Sequence, residues 1–252
     1  MKVGSNVLTR PDGHLDVTRM SALVDQIAQL RRRGIEVVLV SSGAVASGRS
    51  MLSPEGMLDD VDSRQLFSAI GQARLINRYY ELFRDHGIIV GQVLTMKEAF
   101  AEKKHYDNQR NCMQVMLRAG VLPVVNENDT VSLEELMFTD NDELSGVIAT
   151  MLDCDRLIIL SDIDGVYDAP PTEPGARLLP LIRPEDDLTS CVVAGKSRAG
   201  RGGMLSKTRV ARSVAAQGIA VTIACGRREN VLLDLMDGKD IPCTTFVPVK
   251  RG

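Results

Sequence analysis

Two clusters of side chains in this chain have the types and spacing to handle phosphate. The first is the segment 195–211, Gly-Lys-Ser-Arg-Ala-Gly-Arg-Gly-Gly-Met-Leu-Ser-Lys-Thr-Arg-Val-Ala, which sets four glycines and five basic residues in a chain of net charge −3. Gly202 and Gly203 would let backbone approach a ligand closely, and the pattern from Met204 to Gln217, closed by Gly218, predicts a helix whose first amides face that loop. Lys207 falls in the first turn, where a cation opposes the helix dipole by roughly a few tenths of a kcal/mol unless an anion such as phosphate lies beside it. The same residues also fit a solvated basic loop ahead of a surface helix. The second cluster is Asp140-Asn141-Asp142-Glu143, opening a helix within 138–146. Capping accounts for carboxylates there, each favourable by ~0.3–1 kcal/mol. Beside a phosphate-binding lysine, an acid can instead orient the lysine or hold hydrated Mg²⁺ carrying a nucleotide.

Neither cluster fits the commonest nucleotide motifs. A Walker loop needs glycine where Ser206 and Arg201 stand. The dinucleotide fingerprint fails at Leu205, and no strand pattern precedes the loop, which disfavours a Rossmann oxidoreductase.

The elements that must position these clusters are legible as apolar runs. Residues 37–40, 88–94, 121–125, 157–160 and 219–224 read as strands buried on both faces. Helical spacing fills 17–33, 62–86 and 107–119, each ending at a glycine. This β-α-β alternation predicts an α/β fold with a mainly parallel central sheet and helices on both faces. Three strands run into polar clusters: Ser41-Ser42-Gly43-Ala44, Asn126-Glu127-Asn128-Asp129 and Ser161-Asp162. Ligands of open α/β sheets bind beyond the carboxyl ends of strands, so these clusters can converge on one crevice, although loops after strands are polar in any case. Segments 51–60 and 169–184 read as long loops, the second a lobe boundary or a flap.

Composition narrows the class. With 252 residues, 44% hydrophobic and no Trp, the chain can bury one large domain or two closely packed lobes. An isoelectric point near 5.7 argues against a surface built for nucleic acid. The five cysteines are scattered without a CxxC, so neither a disulfide framework nor a zinc site is indicated. No signal peptide or membrane-spanning run is present, which points to the cytoplasm.

Taken in order, Lys2-Val3-Gly4-Ser5-Asn6, Ser41-Ser42-Gly43-Ala44, Asn126-Glu127-Asn128-Asp129, Asp140-Asn141-Asp142, Ser161-Asp162 and the run from Gly200 to Lys207 resemble the motifs of the amino acid kinase family. The resemblance covers Lys2 to about Phe246 and is closest to the branch whose acceptor is L-glutamate. It implies a three-layer sandwich in one kinase domain over 1–252, with an acceptor-binding lobe at about 1–152 and a nucleotide-binding lobe at about 153–252. It implies transfer of the γ-phosphoryl of ATP, with Mg²⁺, to the glutamate side-chain carboxylate, the first step of proline synthesis. By that resemblance Lys2 and Lys207 neutralise the moving phosphoryl, and Asp142 orients both. Ser42, Gly43, Asn126, Asp129 and Asn141 hold glutamate; Ser161, Asp162 and the loop Arg201, Gly202, Gly203, Met204, Leu205, Ser206 and Lys207 hold ATP. Relatives imply a dimer or tetramer and inhibition by proline, and many carry a C-terminal PUA domain beyond the point where this chain ends.

Three departures from the family pattern stand out. Arg201 and Leu205 replace hydroxyl residues of the glycine loop, and only Met1 precedes Lys2, leaving a short or truncated first strand. The rival reading is a non-catalytic regulatory protein, or one that binds RNA or a partner, on the same fold; another is a related kinase with a different carboxylate acceptor.

Overall fold

The computed structural model describes residues 1–52, 59–131, 140–188 and 203–249. The chain divides into two compact units, Met1–Val3 with Thr139–Gly252, and Gly4–Phe138. The division runs at Thr139, and it assigns the first three residues to the C-terminal unit.

The larger N-terminal stretch, 4–138, contains helices α1 (Ser5–Leu8), α2 (Val17–Arg32), α3 (Ala44–Arg49), α4 (Asp60–Arg84), α5 (Glu98–Ala101) and α6 (Lys103–Arg118), and strands β2 (Leu39–Ser41), β3 (Val90–Thr95) and β4 (Leu122–Glu127). Its strands lie in the order β3-β4-β2, all parallel, with Val90 beside Leu122 and Leu39 beside Val124. Met20, Leu23, Ile27, Leu39, Phe67, Leu75, Phe83, Leu122 and Val125 are buried between these elements.

The other unit carries β1 (Lys2–Val3), α7 (Asn141–Met151), β5 (Arg156–Ser161), β6 (Leu181–Ile182), α8 (Met204–Ala215), β7 (Ala220–Cys225), α9 (Val231–Met236) and β8 (Cys243–Phe246). The order is β1-β5-β7-β8-β6. Every pair is parallel except β7 with β8, which run antiparallel. Leu157, Ile159, Val210, Val214, Val221, Ile223 and Phe246 form its core.

Helix ends explain how the chain turns into the strands. Gly34 follows α2 at φ +82°, and the next amide, of Ile35, donates to the carbonyl of Leu30. An L side chain resists that conformation, so glycine closes the helix. Gly87, Gly120 and Gly218 repeat the arrangement after α4, α6 and α8, each just ahead of a strand. Segment 169–184 is not a bare loop: it contributes β6, paired with β8, and Leu178 bridges back to Tyr167. No helix among the described residues is long and apolar enough to cross a membrane.

Candidate active site

The centre of the C-terminal unit is an ion cluster with three members. Lys2 lies on β1, in register with Ile159 of β5. Asp142 sits in the first turn of α7 and Lys207 in the first turn of α8. Lys2 Nζ stands 2.6 Å from Asp142 Oδ1, and Lys207 Nζ donates to Asp142 Oδ2 at 2.9 Å. All three are buried, Asp142 completely.

The packing of α7 on α8 sets this pairing. Gly146, one turn after Asp142, faces Val210 and Val214, and a Cβ there would lie 2.8 Å from Val210 Cγ1. Glycine thus lets the two helices approach closely beside the place where their first turns must share one carboxylate.

Capping and lysine pairing fall to different acids. Asp140 is the N-cap of α7, accepting from the amides of Asp142 at 2.8 Å and Glu143 at 3.0 Å. Asp142 is therefore released from capping and turns to the lysines. It also supplies the anion that a cation in the first turn of α8 requires, so the dipole conflict at Lys207 is met within the protein.

The electrostatics are asymmetric. Burial pulls the Lys2 ammonium below the ordinary lysine value of 10.5; Asp142 opposes that shift and Lys207 adds to it. Burial favours the neutral acid at Asp142, yet the two ammonium groups and their hydrogen bonds outweigh it and hold the carboxyl below 3.8. Two cations against one carboxylate make a site suited to an added anion.

Around the cluster, Ser206 Oγ is buried at the start of α8 with no hydrogen-bond partner among the described residues. Gly203 caps that helix with φ −75°, an ordinary extended conformation, while Met204 is half-buried and Leu205 is exposed. Ser161 ends β5, its hydroxyl donating to Asp162 Oδ1 at 3.2 Å, and its carbonyl accepts the Gly226 amide. Asn141 opens α7, half-buried. Arg201 and Gly202 lie outside the described residues.

The remaining sequence-predicted residues sit in the other unit at the ends of β2 and β4. Gly43, at φ +105°, turns the chain from β2 into α3, leaving Ser42 half-buried beside it. Asn126 and Asp129 are buried. Helix α4, which sequence reasoning left out of the site, meets these strand ends with one face. Arg64 Nε donates to Asp129 Oδ1 at 2.7 Å, and Arg64 Nη2 to Glu127 Oε2 at 3.1 Å. Ser68 Oγ donates to Asp129 Oδ2 at 3.2 Å, and Asn126 Nδ2 to Gln72 Oε1 at 2.8 Å. Tyr79 OH pairs with Ser41 Oγ at 2.9 Å, and burial raises the Tyr79 hydroxyl far above its ordinary value. The available signal was the spacing 64, 68, 72, which lines polar residues along one helical face otherwise filled by Leu75 and Phe83.

Among the described residues no group of three His, Cys, Asp or Glu side chains is placed to hold a metal ion.

Comparison with known proteins identifies the family. The model of the amino acid kinase family matches residues 1–225. A glutamate 5-kinase of Bacteroides thetaiotaomicron is 62% identical over 249 residues, covering 98% of this chain and 69% of that protein. One from Symbiobacterium thermophilum is 42% identical, covering 96% of this chain and 92% of the relative. The chain spans 66% of the length of a third glutamate 5-kinase, from Chlorobaculum tepidum, at 44% identity. Among solved structures, a carbamate kinase from Giardia lamblia bound to AMP-PNP superposes with TM-score 0.69 at 18% identity, over 98% of this chain and 97% of the other. An isopentenyl phosphate kinase substrate complex gives 0.68 at 17%, over 97% of each. These two show the shared fold. Motif order, fold and relatives agree, and the chain belongs to the amino acid kinase family, among its glutamate 5-kinases.

Proposed function

We propose that the chain transfers the γ-phosphoryl group of ATP to the side-chain carboxylate of L-glutamate, giving L-glutamyl 5-phosphate for proline synthesis in the cytoplasm. The observation that carries this reading is the buried Lys2–Asp142–Lys207 cluster, with both ammonium groups on one carboxylate. Phosphoryl transfer asks for alignment and positive charge more than for covalent chemistry, and a carboxylate acceptor is already ionised at neutral pH. No general base is needed. Asp142 holds the two ammonium groups in place while they offset charge on the three equatorial oxygens of the phosphoryl in flight. The orphaned Ser206 hydroxyl at the start of α8 suits a phosphate oxygen of the donor, with Ser161, Asp162 and the 201–207 loop completing the nucleotide contacts.

Magnesium is carried in by the nucleotide. Phosphate oxygens of the nucleotide would hold the ion.

Ser42, Gly43, Asn126, Asp129 and Asn141 bind glutamate, with Asp129 taking the free α-ammonium. Of these, Ser42, Gly43, Asn126 and Asp129 belong to the unit 4–138, and Asn141 to the unit containing α7, β5 and α8. Proline, which shares an α-carboxylate and an α-ammonium with glutamate, competes for the acceptor pocket, and the active form is a homo-oligomer. The test is kcat/KM for L-glutamate, L-aspartate and N-acetyl-L-glutamate at fixed Mg-ATP. Shortening the acceptor by one methylene moves its carboxylate by about an ångström, a displacement that can cost about 10²-fold. Acetylation removes the charge Asp129 would meet. Equal use of either analogue would overturn the glutamate assignment.

A further inference from the structure

We propose that Arg64 is a positioning residue that sets acceptor specificity by fixing the carboxylate of Asp129 from helix α4. The inference rests on the reading of Asp129 as the partner of the acceptor's α-ammonium.

Asp129 lies two residues past the end of β4, where a loop carboxylate would ordinarily be free to rotate. Here both of its oxygens are claimed by one helix: Oδ1 by Arg64 Nε at 2.7 Å and Oδ2 by Ser68 Oγ at 3.2 Å. Arg64 is itself anchored, because its Nη2 reaches Glu127 Oε2 at 3.1 Å on the last residue of β4. A planar guanidinium bonded to two carboxylates has its orientation set, which a lysine cannot reproduce. A carboxylate offers about four lone-pair directions; Arg64 meets Oδ1 through Nε and Nη2 and Ser68 meets Oδ2, so Asp129 keeps acceptor capacity toward an ammonium.

The register is that of a ruler. Arg64, Ser68 and Gln72 recur every fourth residue on α4 and meet Asp129 and Asn126 in turn, while Tyr79 meets Ser41 further along the same helix. Ser68, Gln72 and Tyr79 are buried, so the helix cannot slide without unmaking these bonds. Arg64 is the charged end of this series and the one member that touches two acids. Its role is to hold the anionic surface still, so that an acceptor with an ammonium group is favoured over one without.

The experiment compares wild type, Arg64→Met, Arg64→Lys and Ser68→Ala, using L-glutamate and glutarate, which lacks the α-ammonium, as acceptors. Arg64→Met should raise KM for L-glutamate by about tenfold or more, the scale of a hydrogen bond to a charged group, with kcat within about threefold and KM for ATP unchanged. The preference for glutamate over glutarate should fall by the same factor. Arg64→Lys should restore part of it, and Ser68→Ala should move KM and preference in the same direction with no change of charge. If Arg64→Met does not fold, Arg64→Lys and Ser68→Ala carry the test. Folded variants that keep the wild-type KM and preference, or that lose kcat with KM unchanged, would overturn the proposal. A wild type that leaves glutamate unphosphorylated would remove the proposed function and this inference together, a result distinct from the variants' behaviour.

Discussion

Replacing Asp142 by Asn removes the carboxylate that pairs with both buried ammonium groups, while the side chain keeps its size. The side chains of Lys2 and Lys207 are 5% and 9% exposed, so water cannot substitute for the lost anion. Removing one partner of a buried ion pair costs ~3–5 kcal/mol. A second route to the size of the loss gives a ceiling: a lysine can escape by shedding its proton, which at pH 7 costs at most about 5 kcal/mol from the ordinary value of 10.5. The two figures agree, and in a protein of this size they correspond to a fall in melting temperature of about 10 °C. The sign with pH is specific. A lysine whose folded pKa lies below 10.5 leaves the unfolded state holding more protons, so stability rises with pH between the folded value and 10.5. The variant's deficit should therefore be largest near pH 7 and shrink toward pH 10. The acid limb moves too: the lowered Asp142 carboxyl contributes stability present above 3.8 and lost as pH falls through its folded value, and Asn abolishes that contribution. Turnover should fall by about 10²-fold or more as both lysines lose their common anchor. The assay is thermal melting across pH 6 to 10 with steady-state ADP release on the same preparation. If Asp142 merely capped α7, the loss would be about 1 kcal/mol, independent of alkaline pH, with normal kinetics. That outcome would refute the reasoning, and Asp140, which makes the cap bonds, already argues against it.

Lys207→Ala should behave differently from Asp142→Asn, since Asp142 remains paired with Lys2: melting should change little, while turnover drops by about 10²–10³-fold, the scale of a lost charge-stabilising donor. Gly146→Ala places a methyl 2.8 Å from Val210 Cγ1 and should cost ~1–3 kcal/mol by denaturant unfolding while lowering kcat, because α7 must shift against α8. An increase in stability would show that the helices are not packed closely there.

Sequence reasoning reached the parts of this molecule whose local chemistry is unambiguous. Residues 157–160 are apolar and buried on both faces, and the predicted strand coincides with β5; Gly34, Gly87, Gly120 and Gly218 mark helix ends because their positive φ is costly for other residues. Strand β8 escaped notice for a physical reason. Its inward positions are Thr244 and Phe246, and Thr244 is buried because its hydroxyl donates to Leu179 and accepts from the Val166 amide, so no apolar run betrays it. The two-residue strands β1 and β6 and the antiparallel β7–β8 pairing depend on neighbours distant in sequence, which no local pattern encodes. At the site, Asp140 and Asp142 are chemically identical in sequence, and only the packing of α7 on α8 assigns one to the amides and the other to the lysines. Arg64 lies 65 residues from Asp129, so its contact is a product of tertiary structure alone.

The central claim is that the acceptor atom is a carboxylate oxygen of glutamate, and the direct measurement is to trap the acyl phosphate. With Mg-ATP, L-glutamate and hydroxylamine, the protein should form γ-glutamyl hydroxamate in step with ADP, and Lys207→Ala should suppress both together. ADP released without hydroxamate, or no ADP release at all with L-glutamate, would contradict the account.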